Sequence, residues 1–358
     1  MIRVISVVMA AAIGASAQTA NPRVFILDAK ELKPKLARIE RDAQKALTAG
    51  PFSVVTKDVT PPSGDKHDYM SQAPYFWPNP ASANGLPYIR RDGERNPEIE
   101  KINNHRVLDQ MTAAVETLAL AYHFTGKEEY ASKAAGLLRA FFLDPATRMY
   151  PNLQFAQAIP GVNTGRGIGL IETRGLTRVV DAIGLLAGSR AWNDRDQKGM
   201  EEWFSLFLQW MLESKNGREE RAAKNNHGTF YDVQIVSLAL FLNRREFAKS
   251  VLEEAKSKRI GVQIEPDGRQ PLELARTKAW SYSVMNLDGL MTLARLGENA
   301  GVDLWNYQTS DGRSIRKALD FLVPFANGEK KWSYPELGEF RPQILSSLLE
   351  RAAPHYNN

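Results

Sequence analysis

From about Asn103 to the C-terminus, apolar residues recur at three- and four-residue steps. Leu108, Met111, Val115, Leu118 and Tyr122 form one such series, and Trp203, Phe207 and Trp210 or Met211 form another. Phe247, Val251 and Ala255 follow, then Leu287, Leu290 or Met291 and Leu293 or Leu296, and finally Ile315, Leu319 and Leu322. This period predicts amphipathic helices, about ten of them at roughly 12 to 20 residues each, joined by short polar connections. No β-hairpin or βαβ alternation is evident in this region, and no fixed short repeat suggests a TPR or HEAT array. The stretches Trp203 to Leu212 and Val233 to Leu242 carry apolar residues on more than one face, as inner helices of a double-layered ring do. The expected fold is all-α, an α/α toroid forming a single domain over residues 18–358.

The N-terminal part reads differently. Met1-Ile2-Arg3 is a short positive start, Val4 to Ile13 is largely apolar, and Ala15-Ser16-Ala17 supplies small residues before Gln18. That order predicts a signal peptide over 1–17 and an exported, periplasmic or secreted protein. A short strand-like piece, Val24 to Leu27, then leads into a charged helix from Glu31 to Leu47. Residues 58–97 are rich in proline, glycine and aromatics, among them Tyr69, Tyr75-Phe76-Trp77-Pro78 and Gly85-Leu86-Pro87-Tyr88. They predict a long irregular loop lying as a lid over the open end of the ring, and loops of that length in compact proteins are usually functional.

Composition narrows the chemistry. Among 358 residues there is no cysteine, which excludes disulfides, thiolate metal sites and cysteine nucleophiles together. Five scattered histidines leave little room for a multi-histidine metal centre. A net charge of +5 leans towards anionic partners but is too dispersed to argue for nucleic acid. No later apolar run is long enough to span a membrane.

Three clusters hold candidate chemistry. In Glu220 to Thr229, the run Asn225-Asn226-His227-Gly228 does not look like a helix interior, and either asparagine is a possible N-cap of the helix that follows. A second Asn-Asn-His at 103–105 precedes a plain amphipathic helix and reads as mainly structural. In Asp267 to Ser283, Arg276 and Tyr282 stand six apart and fall on different faces of a helix. In an extended segment Arg276, Lys278, Trp280 and Tyr282 would share one face, so a cleft shared by Arg276 and Tyr282 implies a helix starting near Tyr282. As residue types alone, a buried Tyr282 and an Arg276 paired to Glu273 would be the ordinary outcome. Between Gln157 and Gly175 no phosphate-binding glycine motif occurs, while Arg166 and Glu172 stand at a loop-to-helix junction suited to substrate contacts.

With these residues in view, the chain resembles the alginate-lyase-type polysaccharide lyases whose members act on alginate or glucuronan. The resemblance runs from Asp68-Tyr69 and Trp77-Pro78-Asn79-Pro80 to the last helices. It is most specific at Asn225-Asn226-His227-Gly228, at Gln270-Pro271-Leu272-Glu273-Leu274-x-Arg276-Thr277 and at Tyr282. It implies an α/α toroid, a catalytic group of Asn226, His227, Arg276 and Tyr282, and a Glu220 lining the same cleft. Tyr69, Trp77, Lys66, Arg166, Glu172 and Trp280 complete the expected substrate-binding set. In the better-known alginate lyases the Asn-His pair is followed by Ser-Tyr-Trp, whereas Gly228-Thr229-Phe230 follows here. That departure places the chain in a neighbouring branch and leaves the preferred uronate open.

The reaction implied removes the C5 proton of a uronate and expels the O4 glycosidic oxygen. Asn226 and Arg276 would bind the carboxylate and stabilise the enolate-like charge. His227 and Tyr282 would be acid and base, with a nearby guanidinium lowering the phenol's pKa enough to make a tyrosinate accessible. Tyr282 alone would serve mannuronate or glucuronate, where H5 and O4 share a side of the ring. For guluronate, where they do not, His227 would take the proton. No cofactor and no metal are implied. The expected partner is an anionic polysaccharide, alginate or glucuronan, bound by a monomer, with no nucleic acid and no membrane span. Two alternatives remain open at this point. One is a glycoside hydrolase using Glu172 with Glu220 or Asp232, and the other is an exported, non-catalytic polysaccharide-binding protein.

Overall fold

Helices dominate the computed structural model, which describes residues 23–28 and 32–356. The proposed signal peptide lies outside the described residues. In chain order the main helices are α1 (Leu36–Ala46), α2 (Asn104–Thr125), α3 (Glu128–Leu138), α4 (Leu176–Leu186), α5 (Asp194–Glu213) and α6 (Lys215–Arg221). There follow α7 (Asn226–Phe241), α8 (Arg245–Ala255), α9 (Pro271–Leu274), α10 (Ala279–Ala300), α11 (Ile315–Ala326) and α12 (Ser346–Tyr356). No helix among the described residues is long and apolar enough to cross a membrane.

Packing sorts them into two layers. Helices α2, α4, α7 and α10 form an inner arc, each against the next. Outside it, α1 and α3 pack on α2, α5 and α8 on α7, and α11 and α12 on α10. This is the α/α toroid that the apolar periodicity predicts. The inner position of α7 explains its sequence, since every residue from Asn226 to Phe241 except His227 is buried. Helix α5 does not share that position, contrary to the reading of Trp203 to Leu212 as inner. Its buried residues Met200, Trp203, Phe204, Phe207, Leu208 and Met211 make one stripe, while Leu206 on the outer side is 49% exposed.

Local chemistry fixes several boundaries. Asn193 caps α5 by accepting the backbone N–H groups of Arg195 and Asp196, and the Asp196 carboxylate answers to the Asn193 N–H. Of the charged helix expected over Glu31 to Leu47, the start lies outside the described residues; from Leu32 the chain is helical, with one 3₁₀ turn over Lys33–Lys35 that contains Pro34 before α1. Val24 to Leu27 is not a strand. The N–H groups of Phe25, Ile26 and Leu27 instead converge on the buried Asp181 carboxylate at 2.8, 2.9 and 2.8 Å, which ties this segment to α4.

Residues 58–97 are less irregular than the prolines suggest. They contain β1 (Met70–Gln72), β2 (Phe76–Trp77) and β3 (Ile89–Arg90), with β2 and β3 antiparallel. β1 pairs in parallel with β4 (Phe155–Ala158), a pairing the sequence pattern does not announce. Its register runs from Met70↔Phe155 to Gln72↔Ala158, so Ser71 faces both Ala156 and Gln157. At this bulge Gln157 takes a φ of +50°, a left-handed conformation that costs a non-glycine residue on the order of 1 kcal/mol. Bulges of this kind re-aim side chains beside functional sites, and Gln157 lines the cavity described next.

Candidate active site

A cavity of about 730 Å³ lies between the 71–106 region, the 157–174 segment, the start of α7 and the α9–α10 junction. Asn226, His227, Arg276 and Tyr282 all line it, as do Arg166 and Glu172. The structure thus brings together residues from three distant stretches of the sequence.

The turn before α7 sets His227. Asn225 is the N-cap, its Oδ1 accepting the His227 N–H at 3.3 Å. The imidazole Nδ1 lies 2.7 Å from Glu220 Oε1, and the Glu220 carboxylate is only 2% exposed. An ionised carboxylate only accepts, so Nδ1 is the nitrogen that donates to it, and in the neutral ring the lone pair is on Nε2. Glu220 does not itself line the cavity; it holds the histidine from behind instead of lining the cleft. Gly228 is required by the same turn: a Cβ there would stand 2.1 Å from Ala223 O and 2.3 Å from Arg259 Nη1. Arg259 in turn forms a buried ion pair with Asp232 at 2.7 Å. The Arg259 guanidinium thus fills the space beside Gly228.

Asn226 is fully buried, and its donors are committed to the protein. Its Nδ2 donates to both oxygens of Glu273 at 3.0 and 2.8 Å, and its backbone N–H donates to the same carboxylate at 2.7 Å. Burial pushes the Glu273 carboxyl up, against the lowering effect of the Asn226 donors. Glu273 therefore pairs with Asn226 and not with Arg276.

Arg276 pairs with Asp92, which reaches in from the aromatic loop. Nε and Nη2 donate to its two oxygens at 3.0 and 2.8 Å. Burial alone would raise the Asp92 carboxyl, but the hydrogen bonds from Arg276 and from the Thr277 N–H hold it well below the usual range. Arg276 Cζ sits 3.7 Å from the centroid of the Tyr282 ring. The helix that carries Tyr282 starts at Ala279, earlier than expected, with the Tyr282 N–H donating to Lys278 O. The short α9 followed by a break, not an extended segment, is what folds Arg276 over the phenol. The Tyr282 hydroxyl donates to Tyr75 Oη at 2.9 Å. Burial and the bond to Tyr75 push its pKa up, and the lowering effect of Arg276 does not offset them. Burial first, and then the bond to Tyr75, work against the tyrosinate that the Arg276 guanidinium was expected to favour.

Four expected substrate contacts stand elsewhere. Tyr69 is completely buried, donating to Glu172 Oε2 at 2.7 Å from beneath the site. Trp280 is equally buried, with Nε1 bonded to Arg341 O and its ring edge-on to Trp332 and Phe340. Trp77 donates to Glu94 O and lies under Arg91, outside the cavity wall. Lys66 is exposed and contributes its carbonyl to the buried Lys57 Nζ. Of the loop aromatics, Tyr75 and Phe76 are the ones that line the cavity.

Further lining residues escaped the sequence reading. His105, in the Asn-Asn-His copy read as structural, lines the cavity with its buried Nδ1 unpartnered, while the adjacent Asn104 is structural, bonded to Met70 N and Val54 O. Gln72 Nε2, Arg166 Nε and Asn226 Oδ1 are also buried without partners. Such atoms gathered at one cavity are what a polar ligand satisfies. The wall carries the guanidiniums of Arg90, Arg95, Arg106, Arg166, Arg174 and Arg276. Glu100 pairs with Arg95 and Arg106 at 3.5 and 3.4 Å, and Asp92 with Arg90 and Arg276. Among the described residues, Arg166 and Arg174 have no carboxylate partner. Arg166 bonds to Gln157 Oε1 at 2.9 Å and lies over Phe76.

Carboxylate-pair hydrolysis finds no support in this wall. Asp232 is locked to Arg259 away from the cavity, Glu220 is behind His227, and Glu172 accepts from Tyr69 and Ser71.

Comparison with curated proteins gives no match. The alginate lyase family model matches residues 53–332. Among solved structures, an alginate lyase from Bacteroides ovatus superposes with a TM-score of 0.89 at 41% identity, covering 93% of this chain and 92% of that one. Alginate lyase A1-III from Sphingomonas species A1 gives 0.52 at 15% identity, with 93% and 90% covered, and shows a shared fold. With the family model spanning most of the chain and a relative at that identity over nearly its full length, the protein belongs to the alginate lyase family and is a polysaccharide lyase.

Proposed function

We propose that the protein cleaves a uronic-acid polymer, alginate or glucuronan, by β-elimination, and that it does so as an exported enzyme. The observation that carries this reading is the meeting, in one arginine-lined cavity, of a histidine backed through Nδ1 by a buried carboxylate and a tyrosine whose pKa burial pushes up. His227 Nε2 takes the C5 proton. The C4–O4 bond breaks with its electron pair going to O4, and Tyr282 gives O4 its proton. The products are a new reducing end and a 4,5-unsaturated uronate.

The C5 proton becomes acidic enough only if the carboxylate's growing negative charge is stabilised. Arg276 and Asn226 are committed to Asp92 and Glu273, so this role falls first to Arg166, whose guanidinium has no acid partner. A separate base and acid suit guluronate best, since H5 and O4 lie on opposite sides of its ring. With mannuronate or glucuronate, Tyr282 would first have to give up a proton that its surroundings hold. Mass analysis of the products tests the reaction class. Elimination leaves every chain break one water lighter than hydrolysis does, and fragments carrying that water would refute the proposal.

A further inference from the structure

The carboxylate that pairs with Arg276 over the Tyr282 ring is not on the helix that carries Tyr282. Asp92 comes from the loop, 184 positions before Arg276, and grips the guanidinium with both carboxylate oxygens. It also accepts the Thr277 N–H at 3.3 Å and the Thr277 hydroxyl at 3.1 Å, while its own carbonyl accepts from that hydroxyl at 3.0 Å. The next residue, Gly93, has a φ of +78°, and a Cβ there would stand 2.4 Å from Thr277 Oγ1. Only glycine lets the loop come this close. The carboxylate, the guanidinium and the phenol ring therefore form one stack, and the same loop sends Tyr75 to the phenol's hydroxyl.

We propose that Asp92 is a positioning residue: it fixes Arg276 flat against Tyr282 and cancels the guanidinium charge there, so that the phenol keeps its proton until the leaving O4 takes it. A bare guanidinium at this distance in a partly desolvated site would favour the tyrosinate, which has no proton to give. The other groups facing the stack do not replace Asp92. Arg90 shares the Asp92 carboxylate, and His227 is bonded to Glu220. Glu273 is taken by Asn226 and Glu336 by the Trp280 backbone N–H, and Arg166, a cation, lies over Phe76 with Nη2 bonded to Gln157. The role as acid rests on the elimination chemistry proposed above, whereas the charge coupling does not.

Two measurements separate these layers. In substrate-free protein, Asp92→Asn should raise tyrosinate absorbance at about pH 11, corresponding to about tenfold more ionised Tyr282 (one pKa unit). Adding Tyr282→Phe should remove the gain. Arg276→Gln, which leaves the anion unopposed, should move the ionisation the other way, and it serves alone if the Asp92 variant does not fold. On the polymer, Asp92→Asn should lower kcat about tenfold with KM little changed, and the alkaline limb of kcat/KM should move to lower pH. Titrations that coincide with the wild type, or move in the same direction in both variants, would overturn the proposal. A shifted titration in a protein that makes no unsaturated product would support the coupling and refute the elimination.

Discussion

Nδ1 of His227 stands 2.7 Å from Oε1 of Glu220, a carboxylate buried behind the cavity wall. This contact favours the neutral tautomer with its lone pair on Nε2, and in the proposed elimination it would stabilise the imidazolium formed when His227 takes the C5 proton. Glu220→Gln keeps the shape but not the charge. It should lower kcat by about 10²-fold, within the usual worth of general base catalysis, and leave KM within a few-fold. Steady-state kinetics on the best polymer decide this; an unchanged kcat would remove the histidine from the base's role.

Tyr282→Phe deletes one oxygen and keeps the ring under Arg276, so folding should persist. Loss of a positioned proton donor should cost at least about 10² in kcat, without a matching change in KM. Tyr75→Phe removes only the acceptor of the Tyr282 hydroxyl and should cost less than about tenfold. Equal losses in the two variants would mean that the hydroxyl pair acts as a scaffold and not as a donor.

Arg166→Ala removes a cavity guanidinium that has no acid partner among the described residues. Both KM and kcat should suffer, because the carboxylate is bound in the ground state and carries more charge in the transition state. The dependence of KM on ionic strength should also flatten relative to the wild type. A variant with the wild-type KM at every salt concentration would place the substrate carboxylate elsewhere.

Asp181 offers a test of the scaffold. Burial pushes its carboxyl up to about 6, although the N–H groups of Leu27, Phe25 and Ile26 work against this. The unfolded group ionises near its ordinary value of about 4, so between these pH values the folded state holds the proton more tightly. Its contribution to stability is fully present below about pH 4, falls as pH rises towards 6, and is level above that. The difference in Tm between wild type and Asp181→Asn should therefore shift against the wild type from pH 4 to 6. A pH-independent difference would contradict the assignment.

Much of this architecture is written in the apolar spacing, because inner and outer helices bury different numbers of faces. Helix α7 shows it plainly, and α5 shows the limit: its large aromatics form one stripe that reads as two when the helix rotation is misjudged. The motif residues Asn226, His227, Arg276 and Tyr282 were legible by type, but their partners were not. Glu220 was expected to line the cleft and Glu273 to pair with Arg276, while Asp92 stood out in no way, and only the fold shows that they hold His227, Asn226 and Arg276 respectively. The aromatic loop advertised Trp77 and Tyr69 by size, yet ring size does not distinguish a sugar platform from a core side chain. Gln157 gave no signal, since a left-handed glutamine at a bulge depends on the β1–β4 pairing.

The central claim is tested most directly by ultraviolet absorbance. Purified wild type, His227→Ala and Tyr282→Phe are each mixed with polymannuronate, polyguluronate and glucuronan. The account predicts that wild type generates the absorbance of a C4=C5 double bond conjugated to the carboxylate, most readily from polyguluronate, and that both variants lose it there. Depolymerisation without that absorbance, or a folded Tyr282→Phe protein that still produces it at the wild-type rate, would contradict the account.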